Sequence, residues 1–365
     1  MPLHVVSPDK VGLDTWRLKV ADTLVQAGVD DKTYPAAVLL VARHGKIAHQ
    51  NAFGTLSDGK PVQVNSIFDL ASLTKPHAAT ALLTLIEDGK LTLGQTVEDF
   101  LPEAKGTPIG LLQIRQLATH SAGLPAWKPL YKITTGHADI FKDIFHTALT
   151  HPAGTNYTYS DLGYILLGEI ISKVSGMALN DYEHARLFGP LGMDDTGYLP
   201  PASFRNRIAP TAYEPSRPNE TMLGVVHDGN SHALGGVSGH AGLFSTAPDI
   251  AVLSSALTGN GQILGHRVLG KATLRLLQES QISSEVGGHT IGWFAPPNSM
   301  LPRGDILDDT TFGHTGFTGT MIVNNPSTGL TIVLLTNRVM NPNENGGIAR
   351  VRRRVLNAVA SAVVS

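Results

Sequence analysis

Ser72-Leu73-Thr74-Lys75 stands where an extended segment, Ser66-Ile67-Phe68-Asp69-Leu70, gives way to an apolar, alanine-rich run from Pro76 to Ile86. That run reads as a helix, because proline is tolerated in a first helical turn and Gly89 supplies a stop. On such a helix Ser72 and Lys75 lie about one turn apart on one face. A serine hydroxyl is a poor nucleophile at neutral pH, so the pair carries chemistry when the amine, or a group beside it, accepts the hydroxyl proton.

The same spacing occurs at Ser7-Lys10 and Ser57-Lys60. Ser7-Pro8-Asp9-Lys10 falls near an N-terminus expected to fray, and Ser57-Asp58-Gly59-Lys60 carries the Asp-Gly of a tight turn. Ser72 alone opens a helix, where free backbone N–H groups and the macrodipole favour negative charge. The plain alternative is that Ser72 is an ordinary N-cap.

Two further segments weigh against that alternative. Tyr159-Ser160-Asp161 closes a polar, aromatic stretch and opens a second apolar run, Leu162 to Ile171. His314-Thr315-Gly316 is flanked by Phe312-Gly313 and by Phe317-Thr318-Gly319-Thr320, and leads into a strand at Met321-Ile322-Val323. After the turn Asn325-Pro326-Ser327-Thr328-Gly329, Leu330 to Leu335 reads as its hairpin partner.

In this order the three motifs resemble those of the penicillin-recognising, β-lactamase-related serine hydrolases: class C β-lactamases, D-Ala-D-Ala carboxypeptidases and family VIII carboxylesterases. The resemblance covers roughly residues 30 to 340. It implies an α+β, β-lactamase/transpeptidase-like fold and an acyl-enzyme on Ser72, with Lys75 or Tyr159 accepting the proton. An unperturbed lysine titrates near ~10.4 and a tyrosine near ~10, so the two would share a proton as a coupled pair, and which is the base stays open. The oxyanion would lie between the N–H of Ser72 and, by analogy, that of Phe317. Leu117 to Pro125 and Gly239 to Ser245 also look like segments of this superfamily and are read as scaffold.

Two positions depart from the family pattern. His314 stands where lysine is usual, replacing a fixed cation with a group mostly neutral above ~6.5, so recognition of a substrate carboxylate should weaken. Asp161 stands where asparagine is usual; an ionised carboxylate cannot donate to a substrate carbonyl, and instead could hold Lys75 charged. Together with Thr315, Gly316 and Phe317 these complete the candidate substrate-binding set. The plain alternative for His314 is a solvent-facing strand residue.

The chain has 365 residues, 42% of them hydrophobic, enough for a sizeable core, and a formal charge of −2. The expected division is an α/β lobe from 1–88 and 285–365, with an antiparallel sheet flanked by terminal helices, and a mainly helical, loop-rich lobe from 89–284, with the site in the cleft between. Asp9 to Gly28 reads as an amphipathic helix on Val11, Trp16, Val20 and Leu24, Ala36 to Phe53 as a hairpin around His44-Gly45-Lys46, Gly292-Trp293-Phe294 as strand-like, and Gly347 to Val364 as the closing helix. Arg350-Val351-Arg352-Arg353-Arg354 reads as a solvated helix face, and nucleic acid is not expected as a partner. No window approaches 18 uninterrupted apolar residues and no signal peptide is seen, so no membrane span is expected. The chain as given points to the cytoplasm; a trimmed leader would place it in the periplasm or outside the cell. The absence of cysteine excludes thiolate chemistry.

His227-Asp228, His232 and His240 lack HExxH spacing, so neither metal nor cofactor is expected. No GxSxG, phosphate loop or dinucleotide fingerprint occurs. The leading expectation is a serine hydrolase cleaving small esters or amides. The alternatives are a D-Ala-D-Ala-type carboxypeptidase on cell-wall peptides with weak β-lactamase activity, and a sensor module that acylates without turnover.

Overall fold

The computed structural model describes residues 2–56, 59–133, 136–214, 217–341 and 347–364. Ser57, the serine of the second Ser-Lys pair, and Asp58 beside it lie outside these residues.

Both ends of the chain build one antiparallel sheet. Its strands run in the spatial order Phe312–Thr315, Met321–Asn325, Leu330–Thr336, Ala36–Arg43, Lys46–Gly54. Ala36–Arg43 is buried along its whole length because both faces are covered. Ala37, Leu39 and Val41 face the helices Thr15–Asp30 and Gly347–Ala360, whereas Val38 and Leu40 face the larger core that holds the helices Thr74–Glu87 and Ala247–Thr258. The hairpin closes through His44 and Gly45, both at positive φ (50° and 72°), as a two-residue turn requires.

Several local expectations are corrected. The first helix begins at Thr15, where the Asp14 carboxylate accepts the Arg17 N–H at 2.8 Å, and Pro8–Val11 forms a separate 3-10 turn. Its buried stripe is Leu18, Ala21, Val25 and Gly28, while Trp16 is 63% exposed beneath the Arg17 guanidinium. Gly292 to Phe294 is no strand: Phe294 makes isolated bridges to His289 and Gly313. The closing helix stops at Ala360. Its arginines are more than a solvated face, since Arg352 donates to the carbonyls of Gly316 (3.1 Å) and Thr320 (2.8 Å) and braces the turn after His314.

The helix Thr74–Glu87 is buried on every side from Thr74 to Leu85, which makes it a core helix. It packs beside Asp161–Ser175, the other helix that opens on a polar motif. Among the described residues no single helix is long and apolar enough to cross a membrane.

Candidate active site

Ser72 lies in a 3-10 turn, Ala71–Leu73, that runs directly into the helix carrying Lys75. Ala71 is held at φ 49°, an uncommon conformation for a residue with a Cβ. The fully buried Asp69 offsets this by accepting the Ala71 N–H at 2.8 Å through one oxygen and the His227 N–H at 2.9 Å through the other. Burial raises the Asp69 carboxyl to about 6, against the pull of those two N–H groups.

The third motif is locked to the same turn. Thr318 and Thr320 donate their hydroxyls to the carbonyls of Asp69 (2.8 Å) and Leu70 (3.1 Å). Gly316 passes so close that an added Cβ would meet the Thr320 hydroxyl at 2.1 Å and the Leu70 carbonyl at 2.5 Å. Neither contact can swing aside, so Gly316→Ala should push the His314 strand away from Ser72. We expect kcat to fall by roughly a hundredfold, measured on any ester turned over by the parent; unchanged kcat would show that this approach does not set the site.

Tyr159 and Asp161 arrive on a braced segment. Thr158 N–H donates to the His120 carbonyl at 2.9 Å, Ser160 N–H to His120 Nδ1 at 3.0 Å, and Asp161 N–H to the Ala126 carbonyl at 3.0 Å. The His120 ring lies 4.5 Å from that of Tyr159, and burial holds its pKa well below the usual range. Its Nδ1 accepts, so the neutral ring carries its proton on Nε2.

These elements meet at Lys75, whose side chain is fully buried. Its Nζ donates to Ser72 Oγ at 3.0 Å and to the His240 carbonyl at 3.1 Å, and it pairs with Asp161 Oδ1 at 2.7 Å. It lies 4.9 Å from the Tyr159 ring centre. Burial works against the ammonium, but the Asp161 carboxylate and Tyr159 outweigh it, so Lys75 titrates above its ordinary range. Burial likewise pushes the Tyr159 phenol up; Lys75 pulls it down, Asp161 adds to the rise, and the hydroxyl stands close enough to Lys75 and Ser72 for both to favour its anion.

His314 is fully buried rather than solvent-facing. It stacks on Phe294 at 4.3 Å, lies 5.9 Å from the Tyr159 ring, and its Nδ1 stands 2.9 Å from the Thr315 carbonyl, which puts the neutral ring's lone pair on Nε2. Burial, with Lys75 and His289 nearby, holds it far below the usual histidine range, so this position is uncharged at neutral pH. Thr315 is half-buried at the end of the His314 strand; Phe317 is 59% exposed, stacked on His227 at 5.7 Å, with its carbonyl held by Arg338.

All three motifs therefore converge. Sequence reasoning gives no chemical role to Asp69, His120, Asp228 or His240: His120 and His240 fall in the segments read as scaffold, and Asp228 and His240 in the group that lacks metal-ligand spacing. Their signal, a lone titratable side chain among small, apolar or turn-forming residues, gains meaning only once long-range partners are known.

The Beta-lactamase family profile matches residues 21–357 of the chain. The chain belongs to the beta-lactamase family. It is 32% identical over 375 residues to an Escherichia coli (strain K12) protein named "Putative D-alanyl-D-alanine carboxypeptidase", covering 92% of this chain and 86% of that protein. Among solved structures it is similar to EstCE1, titled a hydrolase with promiscuous acyltransferase activity, with TM-score 0.77 and 23% identity over 94% of this chain and 99% of the other. It is also similar to a beta-lactamase/D-alanine carboxypeptidase from Pseudomonas syringae, with TM-score 0.76 and 21% identity over 94% and 99% of the two chains. The mixed α/β fold with its antiparallel sheet is that of this beta-lactamase family, whose chemistry is that of serine hydrolases, and a small-molecule or peptide substrate accords with it.

Proposed function

We propose that the protein hydrolyses small esters or amides through an acyl-enzyme on Ser72, with Tyr159 as the proton acceptor. The observation that carries this reading is the Ser72–Lys75–Asp161 line, at 3.0 and 2.7 Å, with the Tyr159 hydroxyl beside it. Asp161 keeps Lys75 an ammonium, so the proton of Ser72 Oγ passes to Tyr159 as Oγ attacks the carbonyl carbon. The charged lysine stabilises the phenolate form of Tyr159 that takes this proton, and the transfer leaves Tyr159 a neutral phenol. The tetrahedral oxyanion accepts from the N–H groups of Ser72 and Phe317. As the carbonyl re-forms, the bond to the leaving group breaks and Tyr159 returns the proton to it. Water then attacks the acyl-Ser72 ester by the same transfers in reverse.

Substrate class follows from His314. A neutral, buried imidazole offers a lone pair and no positive charge, so a substrate carboxylate gains no ion pair at this position. This favours neutral esters and amides. A second reading, a carboxypeptidase acting on D-Ala-D-Ala termini, is supported by the name of the relatives at 32% identity.

The two readings are separated by kcat/KM on nitrophenyl esters beside a D-Ala-D-Ala peptide and a chromogenic cephalosporin. Neutral esters are expected to be the better substrates by about tenfold or more. His314→Lys should raise the ratio of carboxylate-bearing to neutral substrates, whatever it does to the absolute rate. A parent enzyme that prefers the peptide, or a ratio that does not move in the variant, would count against this account of His314.

A further inference from the structure

We propose that Asp228 and His240 are a positioning pair for Lys75: Asp228 anchors the His240 ring, and the His240 backbone carbonyl aims the lysine ammonium at Ser72. This rests on the acyl-Ser72 reading above.

An ammonium has three N–H groups and no acceptor. Those of Lys75 face Ser72 Oγ, the Asp161 carboxylate and the His240 carbonyl, so two fixed partners determine where the third points. Asp161 is the stronger attraction. Without the carbonyl on the opposite side, the ammonium would swing toward the carboxylate and away from the nucleophile.

The carbonyl is held by more than its own stretch of backbone. His240 is 1% exposed and both ring nitrogens are engaged: Nδ1 with Ser238 Oγ at 2.8 Å and Nε2 with Asp228 Oδ1 at 2.8 Å. Asp228 is itself fixed as the N-cap of Gly229–Ala233, accepting the Ser231 N–H at 2.7 Å. One residue further on, Ser231 Oγ donates to the Ala241 carbonyl at 2.8 Å. Two rungs therefore clamp the 228–231 turn to the 238–241 segment. From the other side, Gly239 is pressed against the helix Asp161–Ser175, where a Cβ would lie 2.3 Å from the Tyr164 carbonyl.

Donor atoms of Asp161, Asp228 and His240 lie within 4.8 Å of one another. Lys75 already supplies the cation at Asp161, and the His240 nitrogen that would bind a metal is committed to Asp228. The groups that face Asp228 are thus Lys75 from the Ser72 helix, Asp69 ahead of it, Asp161 from the next helix, and His227 and His240 on either side. Its negative charge favours protons on Lys75 and Tyr159, and removing it should lower the apparent pKa values of that coupled pair.

The test is Asp228→Asn, which keeps an N-cap residue and an acceptor while removing the charge. On a nitrophenyl ester kcat should fall by about tenfold to a hundredfold with KM changed less than about twofold. Both limbs of the kcat–pH profile should move to lower pH, which a defect in packing alone would not cause. His240→Gln, which keeps the backbone carbonyl but loses the ring contacts, should lower kcat similarly. The double variant should be no worse than the poorer single one, because both break one link. Wild-type kcat and unmoved limbs in Asp228→Asn, or losses that add in the double variant, would overturn the proposal. Ser72→Ala run beside them keeps the two claims apart: residual turnover there rejects the acyl-Ser72 reading itself, whereas an inactive Ser72→Ala with an unaffected Asp228→Asn rejects the positioning pair alone.

Discussion

Ser72→Ala is expected to lower kcat/KM by at least about 10³-fold while leaving the melting temperature within a degree or two of the parent. The loss is large because the other site groups act through the nucleophile, so what remains is only the binding and polarisation of substrate. The fold should be indifferent because Ser72 is partly exposed and alanine suits a helical turn. Removing Oγ takes one partner from Lys75 but leaves Asp161 at 2.7 Å and the His240 carbonyl at 3.1 Å, so no buried charge is stranded. Steady-state rates and intact mass after a fluorophosphonate check this. The parent should gain one adduct, and the variant none. Retained ester turnover in the variant would end the assignment, and a persistent adduct without turnover in the parent would make the protein an acylating sensor.

Glu183→Gln is expected to change how stability depends on pH. Glu183 is fully buried, and burial raises its carboxyl to about 8, opposed by the neighbouring Tyr198 hydroxyl. The folded state therefore holds this proton up to about pH 8, whereas the unfolded chain releases it near ~4.3. The stabilisation is complete below the unfolded pKa and is lost progressively as pH rises through about 8. By linkage the change is on the order of 5 kcal/mol across that window. In thermal melts between pH 5 and 9 the parent should lose stability toward alkaline pH, and Glu183→Gln should show a flatter curve. The slope is the readout, since a buried amide carries its own cost. Identical slopes would mean that Glu183 is ionised, or reaches water, in the folded protein.

What could be read from the sequence was local. Ser72 and Lys75 are three residues apart at a helix start, and helical pitch alone sets them side by side. The hairpins Ala36–Arg43 with Lys46–Gly54, and Met321–Asn325 with Leu330–Thr336, are legible for the same reason: alternation and turn residues act over a few positions. Val11 matches an apolar period and draws the expected first helix back to Asp9, but the Asp14 cap and the left-handed Gly12 decide where the helix starts. Trp16 fits the apolar period of that amphipathic helix, yet the face that packs is chosen by the sheet and the C-terminal helix, which the local period does not see.

The groups around Lys75 were hidden for a related reason. Nothing near His240 says that its carbonyl meets an amine 165 residues away, or that Asp69 holds both the strained Ala71 and the backbone of His227. His314 could be recognised as a replacement for a cation, but its neutrality depends on burial against Phe294 and on Lys75 and His289, which come from other parts of the chain.

The order of residues by itself determined the hydroxyl–amine pair and the strand that carries His314, because these depend on helical and strand periodicities spanning a few residues, and its three motifs in order carried the resemblance that implied the fold family. Tertiary structure decided the protonation of Lys75, the neutrality of His314 and the aim of the ammonium at Ser72. Those are properties of solvation and of charges brought together across the chain, and they come into being when folding removes water from between them.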